Sequence, residues 1–322
     1  MPTSVVLPTQ TWTPACDEVA AQLGPDDELL VVCDTDDDPV AGRSDLPGRV
    51  AVVAAGEPEG CSGKANAIAA GMEAASYDRV VWTDDDFHHP PDWLDTLRAD
   101  YERHGPVTEL PFFAGRDPLA TLLEPLYAVG GTLAVYAGGK VWAGAVVFER
   151  DDLDVRKTTD SSSAPHQNAE RSEDADAFVT DLRRTVSDDG LLTEYLEVTP
   201  VRRTRRVPVG GTLRQTLERH VRFSKLVARH DPVGTTAGSA ATLALFVACL
   251  LVPLYAAVGL TALTAGVYAF FGEWRWTAVL AYPAALAALP LGVYATGRRT
   301  FVWGGRRYRW RSKFDVEVVG EE

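Results

Sequence analysis

The stretch VVWTDDDFHHPPDWL, residues 80–94, places an apolar run directly before three consecutive aspartates. The run at 80–82 is typical of a buried β-strand, and the later proline pair is typical of the start of a helix. Like charges this close repel one another. The carboxylates at 84–86 are therefore either fully solvated or neutralised by a positive group.

Composition favours the solvated alternative at first. The chain has 322 residues, a formal net charge of −14, and only five lysines among its 31 cationic residues. This is typical of a salt-adapted protein with many surface carboxylates, and we expect no nucleic acid as a partner. Acidic runs also occur at 26–27, 36–38, 151–152 and 188–189. Solvated surface is thus an alternative for every acidic cluster, and context has to decide.

Apolar runs alternate with helical patterns over the first hundred residues, which predicts an α/β fold with a mostly parallel sheet. In such sheets ligands bind beyond the carboxyl ends of the strands. Asp34 follows the second predicted strand and Asp84 follows the fourth, so both are expected at one sheet edge. The predicted strands are 4–7, 28–33, 49–54 and 79–82, and the predicted helices are 14–23 and 64–75.

Two uncharged runs, 232–272 and 277–297, follow in the last third of the chain. Each is long enough for a bilayer crossing of about 20 residues. Arginine-rich segments lie before the first run and after the second, and positive flanks mark the cytoplasmic side. We predict two crossings with both ends inside. Pro253 or Gly259 could divide the first run and give three, and two core helices of a soluble protein are a further alternative.

Several stretches occur in an order that resembles the family 2 glycosyltransferases of GT-A fold. The similarity is strongest to the membrane-bound branch with ceramide glucosyltransferase-like enzymes and processive polysaccharide synthases. It covers about Ser4 to Phe223 and implies a GT-A catalytic domain, with a Rossmann-like mixed, mostly parallel sheet, followed by C-terminal transmembrane helices. The stretches are VVLPT (5–9), VVCDTDD (31–37), GCSGKANAIAAGM (60–72), the opening stretch, VWAGAVVFERDDL (141–153), SDDGLLTEYL (187–196) and RHVRF (219–223).

The resemblance gives the three aspartates a role. A nucleotide-sugar donor, UDP- or GDP-linked, loses a diphosphate whose charge a divalent cation can neutralise. Asp86 and Asp84 form the Asp-x-Asp element and are the expected ligands of Mg²⁺ or Mn²⁺. Asp84 is also expected near the ribose or sugar, with Asp85 in the same substrate site. Alternate residues of an extended segment point the same way. An acidic cluster at a helix N-terminus is the alternative.

The nucleotide pocket is expected beside these residues. The resemblance assigns Pro8 and Thr9 to its lining and Asp34 to the base or ribose. An ordinary turn residue before a proline is the alternative for Asp34. Lys64 begins a predicted helix, where a cation and backbone N–H groups could meet phosphate. Gly144 is assigned to the substrate site within VWAGAVVFERDDL.

Catalysis requires a base that takes the proton of the acceptor hydroxyl. The resemblance assigns this role to the second residue of an acidic pair, here Asp189 after Asp188, in an inverting single displacement. Residues 172–176, SEDAD, offer a competing pair.

The segment RHVRF departs from the family pattern, which ends in tryptophan. Arg219 and Arg222 are expected to bind the diphosphate, and Phe223 keeps the aromatic face but lacks an indole N–H. A basic interfacial helix attracted to anionic lipid is the other interpretation.

We therefore predict a membrane-bound hexosyltransferase with a cytoplasmic site and a lipid or lipid-linked acceptor, in a multi-pass cell-membrane protein. A polyprenyl-phosphate glycosyl synthase and a non-catalytic nucleotide-sugar-binding protein are the alternatives. The polar tract at 151–176 is interpreted as a loop over the acceptor or as a non-functional insertion. The predicted organisation is a catalytic domain at 1–200, a basic interfacial segment at 201–232, about two transmembrane helices at 233–297, and a basic cytoplasmic tail at 298–322.

Overall fold

The computed structural model describes residues 1–154 and 170–321, and it divides into two compact units. The first unit comprises Met1–Glu109, Gly139–Val201 and Arg311–Val318. The second comprises Leu110–Gly138, Arg202–Trp310 and Val319–Glu322. The predicted tract at 151–176 falls largely on residues outside the described part of the chain.

Within the described residues, ten strands form two sheets, a seven-stranded sheet of order β3-β2-β1-β4-β6-β5-β7 and a three-stranded sheet of order β10-β9-β8. Strands β1, β2, β3 and β4 pair in parallel, whereas β6 is antiparallel to β4 and β5. The mostly parallel α/β prediction is confirmed. The strands are β1 (Thr3–Pro8), β2 (Glu28–Cys33), β3 (Val50–Ala54), β4 (Arg79–Thr83), β5 (Val107–Gly115), β6 (Ala145–Glu149), β7 (Thr199–Val209), β8 (Thr300–Trp303), β9 (Arg306–Ser312) and β10 (Asp315–Glu321).

Eleven α-helices lie in the described part of the chain. Short π-helical and 3₁₀ segments also occur, at Ala128–Leu133, Arg150–Asp152 and Trp276–Leu280. The helices are α1 (Pro14–Ala20), α2 (Gly63–Ala74), α3 (Trp93–His104), α4 (Pro118–Tyr127), α5 (Ala134–Gly138), α6 (Glu170–Leu182), α7 (Asp188–Tyr195), α8 (Leu213–His230), α9 (Pro232–Leu251), α10 (Pro253–Phe270) and α11 (Ala281–Gly297).

The core of the first unit lies between the parallel strands and α2. Val6, Val32, Ile68 and Met72 are among its buried members. The helix approaches the sheet closely because Gly71 has no side chain, and a Cβ there would collide with Val6. Small residues in α2 therefore fix the position of its N-terminus beside the strand ends.

Two parts of the chain differ from the predicted organisation. Residues 110–138 cluster with the second unit, although we expected a catalytic domain at 1–200. The segment at 298–322 was expected to be a basic tail, but it contains the three strands of the second sheet, and its residues Arg311–Val318 fold with the first unit.

The apolar region contains three helices where we predicted about two. The first run is divided at Val252, the one residue between α9 and α10, so Pro253 begins a new helix, as proline at the first helical position favours. Four helices in the described chain are long and apolar enough to cross a membrane by length and composition: Pro118–Gly138, Pro232–Leu251, Pro253–Phe270 and Trp276–Gly297.

Candidate functional site

The parallel strands bring the predicted polar residues to one edge of the sheet. Thr9, Asp34 and Asp84 directly follow β1, β2 and β4, whose carboxyl ends point the same way. Gly144 directly precedes β6, which pairs with β4 in the opposite direction, so it reaches the same edge. Its carbonyl oxygen accepts from the amide of Asp84 at 3.2 Å and from Thr83 Oγ1 at 3.1 Å.

Lys64 is the positive group beside the aspartates. Its Nζ lies 2.6 Å from Asp84 Oδ1 and 3.0 Å from Asp188 Oδ2. Burial lowers the pKa of Lys64, but the surrounding carboxylates, Asp188 first, outweigh it and hold that pKa well above the usual value. Lys64 therefore neutralises Asp84, whereas the sequence led us to expect this lysine at a phosphate.

The N-terminus of α2 is tied to the segment that precedes α7. Ser62 caps α2 by accepting from the amide of Ala65 at 3.0 Å. The same hydroxyl donates to the carbonyl of Val186 at 2.8 Å, and the amide of Ser62 donates to Thr185 at 3.0 Å. These bonds place Lys64 next to the acidic pair that begins α7.

The two residues of that pair differ in their surroundings. Asp188 is 2% exposed and is held by Lys64. Asp189 is partly buried, and its Oδ1 accepts from the amide of Ala143 at 2.5 Å. Burial and the like charge of Asp188 raise the pKa of Asp189, which suits a general base.

The remaining strand-end residues contact one another. Thr9 Oγ1 donates to Asp85 Oδ2 at 2.5 Å, and burial raises the pKa of Asp85. Asp34 is buried and accepts from Gln10 Nε2 at 2.8 Å. Its own amide donates to Asp38 Oδ2 at 2.8 Å, so Asp34 also belongs to a turn.

Asp86 is exposed, and the segment after Asp84 bends instead of remaining extended. In the described chain no three His, Cys, Asp or Glu side chains are grouped so that they could hold a metal ion. Mg²⁺ is commonly bound by one or two carboxylates together with substrate phosphates. The expectation that Asp86 and Asp84 hold a divalent ion stays a prediction.

The competing acidic segment lies elsewhere. Asp174 and Asp176 belong to α6, and Asp176 is exposed. Of the two candidate pairs, the structure joins Asp188 and Asp189 to the strand-end residues through Lys64.

The three predicted residues of RHVRF lie on α8 in the second unit. Arg219 Nη2 donates to the carbonyl of Gly210 at 2.9 Å. The guanidinium of Arg222 lies 4.2 Å from the ring centroid of Trp303, and Phe223 packs against Tyr127 at 5.6 Å between ring centroids. Each is thus positioned by contacts inside that unit.

Sequence reasoning missed the backbone amide of Ala143 and the indole of Trp142. The signal was present in VWAGAVV, where small residues stand between a tryptophan and a strand. Gly144 is required there because a Cβ would collide with the ring of Trp142.

Gly144→Ala is expected to lower transfer activity about 10- to 100-fold and folding stability by about 1–3 kcal/mol. Relief of the collision with Trp142 moves the segment that carries the Ala143 amide, and with it Asp189. Steady-state kinetics and chemical denaturation measure the two effects. The matched control is Gly48→Ala, where a Cβ meets nothing within 4 Å. Unchanged activity in Gly144→Ala would contradict a positioning role for this segment.

Residues 11–125 match the family described as Glycosyl transferase family 2. The family resemblance is therefore confirmed over that segment, which contains Asp34, Lys64 and Asp84. No curated protein matches the chain.

Solved structures with similarity to this chain have TM-scores of 0.40 or less among those compared. S. aureus TarS 1-349 in complex with UDP-GlcNAc has 12% identity and a TM-score of 0.37, with 100% of each chain covered. Mannosyl-3-phosphoglycerate synthase from Rubrobacter xylanophilus has 19% identity and a TM-score of 0.40, with 71% of this chain and 73% of that chain covered. Glucosyl-3-phosphoglycerate synthase from Mycobacterium tuberculosis, in complex with phosphoglyceric acid, has 18% identity and a TM-score of 0.33, over 70% and 79%.

Proposed function

We propose that this protein is a membrane-attached inverting hexosyltransferase that uses a nucleotide-sugar donor and a lipid or lipid-linked acceptor. The observation that carries the proposal is the cluster of Lys64, Asp84 and Asp188 beside Asp189 at the strand ends. The family match over residues 11–125 supports the reaction class.

The chain supplies a base and a way to orient it. Asp189 takes the proton of the acceptor hydroxyl as the oxygen attacks the anomeric carbon. The new bond joins this oxygen to that carbon, the bond from the carbon to the donor phosphate breaks, and the nucleoside diphosphate leaves with the bonding electrons. The Ala143 amide orients the carboxylate of Asp189, and Lys64 keeps Asp188 paired so that it does not compete for the proton.

The donor is expected to lie over the ends of the parallel strands. Pro8, Thr9 and Asp34 line the nucleotide side in this proposal, and UDP- and GDP-sugars are the candidates. Asp86 and Asp84 would hold Mg²⁺ or Mn²⁺ there. The ion would supply positive charge to the departing diphosphate.

Membrane attachment rests on the four apolar helices and on the basic helix α8. A lipid acceptor can present its head group to a site at the membrane surface without leaving the bilayer. The cationic residues near these helices support a cytoplasmic location of the catalytic region.

The pH profile of kcat/KM is expected to have an acid limb whose midpoint lies well above pH 3.8. The usual pKa of an aspartate side chain is 3.8. Asp189 accepts a proton only when ionised, so the rate falls as the pH falls through its raised pKa. In Asp188→Asn the limb should move to lower pH because the like charge is removed. A limb that does not move would contradict the electrostatic link between the two carboxylates.

A donor screen tests the proposal directly. Membranes containing the protein are incubated with radiolabelled UDP- and GDP-sugars, with and without Mg²⁺ or Mn²⁺, at low and molar KCl, and then extracted with organic solvent. We expect label in the organic phase for the wild type and none for Asp189→Asn. Donor binding without transfer or hydrolysis under all these conditions would overturn the assignment as an enzyme.

A further inference from the structure

The four apolar helices are arranged so that the number of membrane crossings can be counted from the fold. Pro118–Gly138 is the first of them. Glu109 before it and Gly139 after it both belong to the first unit. Two segments of one compact unit lie on the same side of any membrane, so a single helix between them does not cross.

The same argument applies to the other three. The chain leaves the first unit at Val201 and returns to it at Arg311. Within that unit Lys313 forms an ion pair with Glu194 of α7, and Arg184 lies over the ring of Phe314. The crossings between 202 and 310 are therefore even in number, yet α9, α10 and α11 are three helices.

Helix α11 is tied at its beginning to Glu124 of α4, within the stretch that does not cross. Arg275 Nη2 donates to this buried carboxylate at 2.9 Å, and Thr277 Oγ1 donates to it as well. The amide of Gly115, at the end of β5, also donates to it at 2.9 Å. The beginning of α11 is thus fixed to the region where β5 ends.

The other end of α11 is tied to α8. Arg298 Nη2 donates to Glu218 at 2.8 Å, and the amide of Val302 donates to the same carboxylate at 3.0 Å. Two residues earlier on α8, Thr216 donates to Asp117, the N-cap residue of α4, at 2.9 Å. Both ends of α11 therefore lie near the same non-crossing helix.

Helix α9 begins directly after α8 and ends against α11. Tyr282 Oη, in the first turn of α11, donates to the carbonyl of Cys249 at 3.2 Å. The end of α9 therefore lies beside the beginning of α11, and both ends of α11 are on the same side of the membrane. Helix α10 leads back to β7, where Arg206 Nε donates to Glu273 at 2.8 Å.

The joint between α9 and α10 supports the same arrangement. Val252 is its one non-helical residue, and its neighbours are exposed and almost entirely apolar, with Leu251 75% exposed and Leu254 72% exposed. A turn that emerged into water beyond a membrane would expose these apolar side chains to water, which is unfavourable. Hydrocarbon is the environment that suits them.

The occupant of this apolar surface is lipid, as the flanking residues indicate. Trp274 and Trp276 are exposed on either side of Arg275, and tryptophan beside charge is typical of the membrane–water interface. Helix α8, which precedes α9, carries cations along most of its length.

We propose that the protein is monotopic: all four apolar helices lie in one leaflet of the bilayer, and none crosses it. This inference rests on the membrane attachment proposed above. It replaces the two predicted crossings while keeping the prediction that both flanks of the apolar region lie on one side. Such an arrangement presents the site to acceptors in a single leaflet.

Thiol labelling in intact cells tests the inference. The four native cysteines are buried and are replaced by alanine. Single cysteines are then introduced at three positions. These are Leu254→Cys at the joint between α9 and α10, Trp274→Cys in the segment between α10 and α11, and Asp45→Cys in the first unit. A membrane-impermeant maleimide is added before and after permeabilisation, and a resident outer-face protein reports that the reagent is active.

In intact cells we expect none of the three variants to be labelled above the background given by the cysteine-free protein. After permeabilisation the Trp274→Cys and Asp45→Cys variants should gain label, whereas the Leu254→Cys variant should gain it only in detergent. Labelling of Leu254→Cys from outside would overturn the monotopic arrangement and leave the glycosyltransferase proposal intact. Recovery of the wild type in the soluble fraction would instead overturn membrane attachment, and size-exclusion chromatography would show whether a second copy covers the helices.

Discussion

Asp189→Asn is expected to lower kcat by about 10²- to 10⁴-fold, the usual contribution of a positioned general base. The amide side chain has nearly the same shape and can still accept from Ala143 through its oxygen, so the local structure is retained. It cannot take a proton. The loss should therefore appear in kcat, whereas donor binding measured by calorimetry should be close to that of the wild type.

The control for this variant is Asp176→Asn, which changes an exposed aspartate of the competing acidic segment. We expect it to retain the wild-type rate. A large loss in Asp176→Asn with little loss in Asp189→Asn would assign the base to the other segment. Near-normal turnover in both would favour a phosphate acceptor, which needs little help from a base, and thus a polyprenyl-phosphate glycosyl synthase.

Lys64→Met is expected to destabilise the folded protein by about 3–5 kcal/mol, the range for removing one partner of a buried ion pair. Methionine preserves most of the side-chain volume, so the main change is the loss of the ammonium group between Asp84 and Asp188. Urea denaturation monitored by tryptophan fluorescence measures the difference. The matched control is Lys140→Met, a partly exposed lysine, for which we expect less than about 1 kcal/mol.

The pH dependence of the stability lost in Lys64→Met distinguishes an electrostatic cause from a packing defect. The raised pKa of Lys64 means that its contribution is fully present below 10.5 and is lost only as the pH rises through the folded-state pKa. In the variant, uncompensated carboxylates take up protons more readily in the folded state than in the unfolded state. By linkage its stability falls as pH rises, so the deficit should be larger at pH 7 than near pH 4. A deficit that is constant with pH would indicate a packing defect.

The first four strands and the first two helices were predictable because their signals are local. The strand at 28–33 contains the continuous apolar run 29–33, and the helix at 64–75 has small residues in helical spacing. The predicted limits differ from the observed Glu28–Cys33 and Gly63–Ala74 by at most one residue. Strand polarity then placed Asp34 and Asp84 at one edge, because carboxyl ends of parallel strands coincide.

The partner of Lys64 was not predictable in this way. Its position beside Asp188 depends on bonds between Ser62 and Val186, which are 124 residues apart. The residue pattern around Ser62 and the pattern around Val186 give no indication that the two segments are in contact. Acidic doublets are common in this chain, so composition favoured solvation, and the family resemblance favoured a metal for Asp84.

The sequence by itself determined which segments are apolar, where the first four β-strands lie, and which carboxylates follow those strands, since those properties depend on neighbouring residues. Only the tertiary structure decided that a lysine lies between Asp84 and Asp188 and that Arg311–Val318 returns to the first unit. The hydropathy of a helix indicates whether the helix is stable in lipid. It does not record where the two ends of that helix are held, because ion pairs such as Arg298 with Glu218 join residues that are distant along the chain.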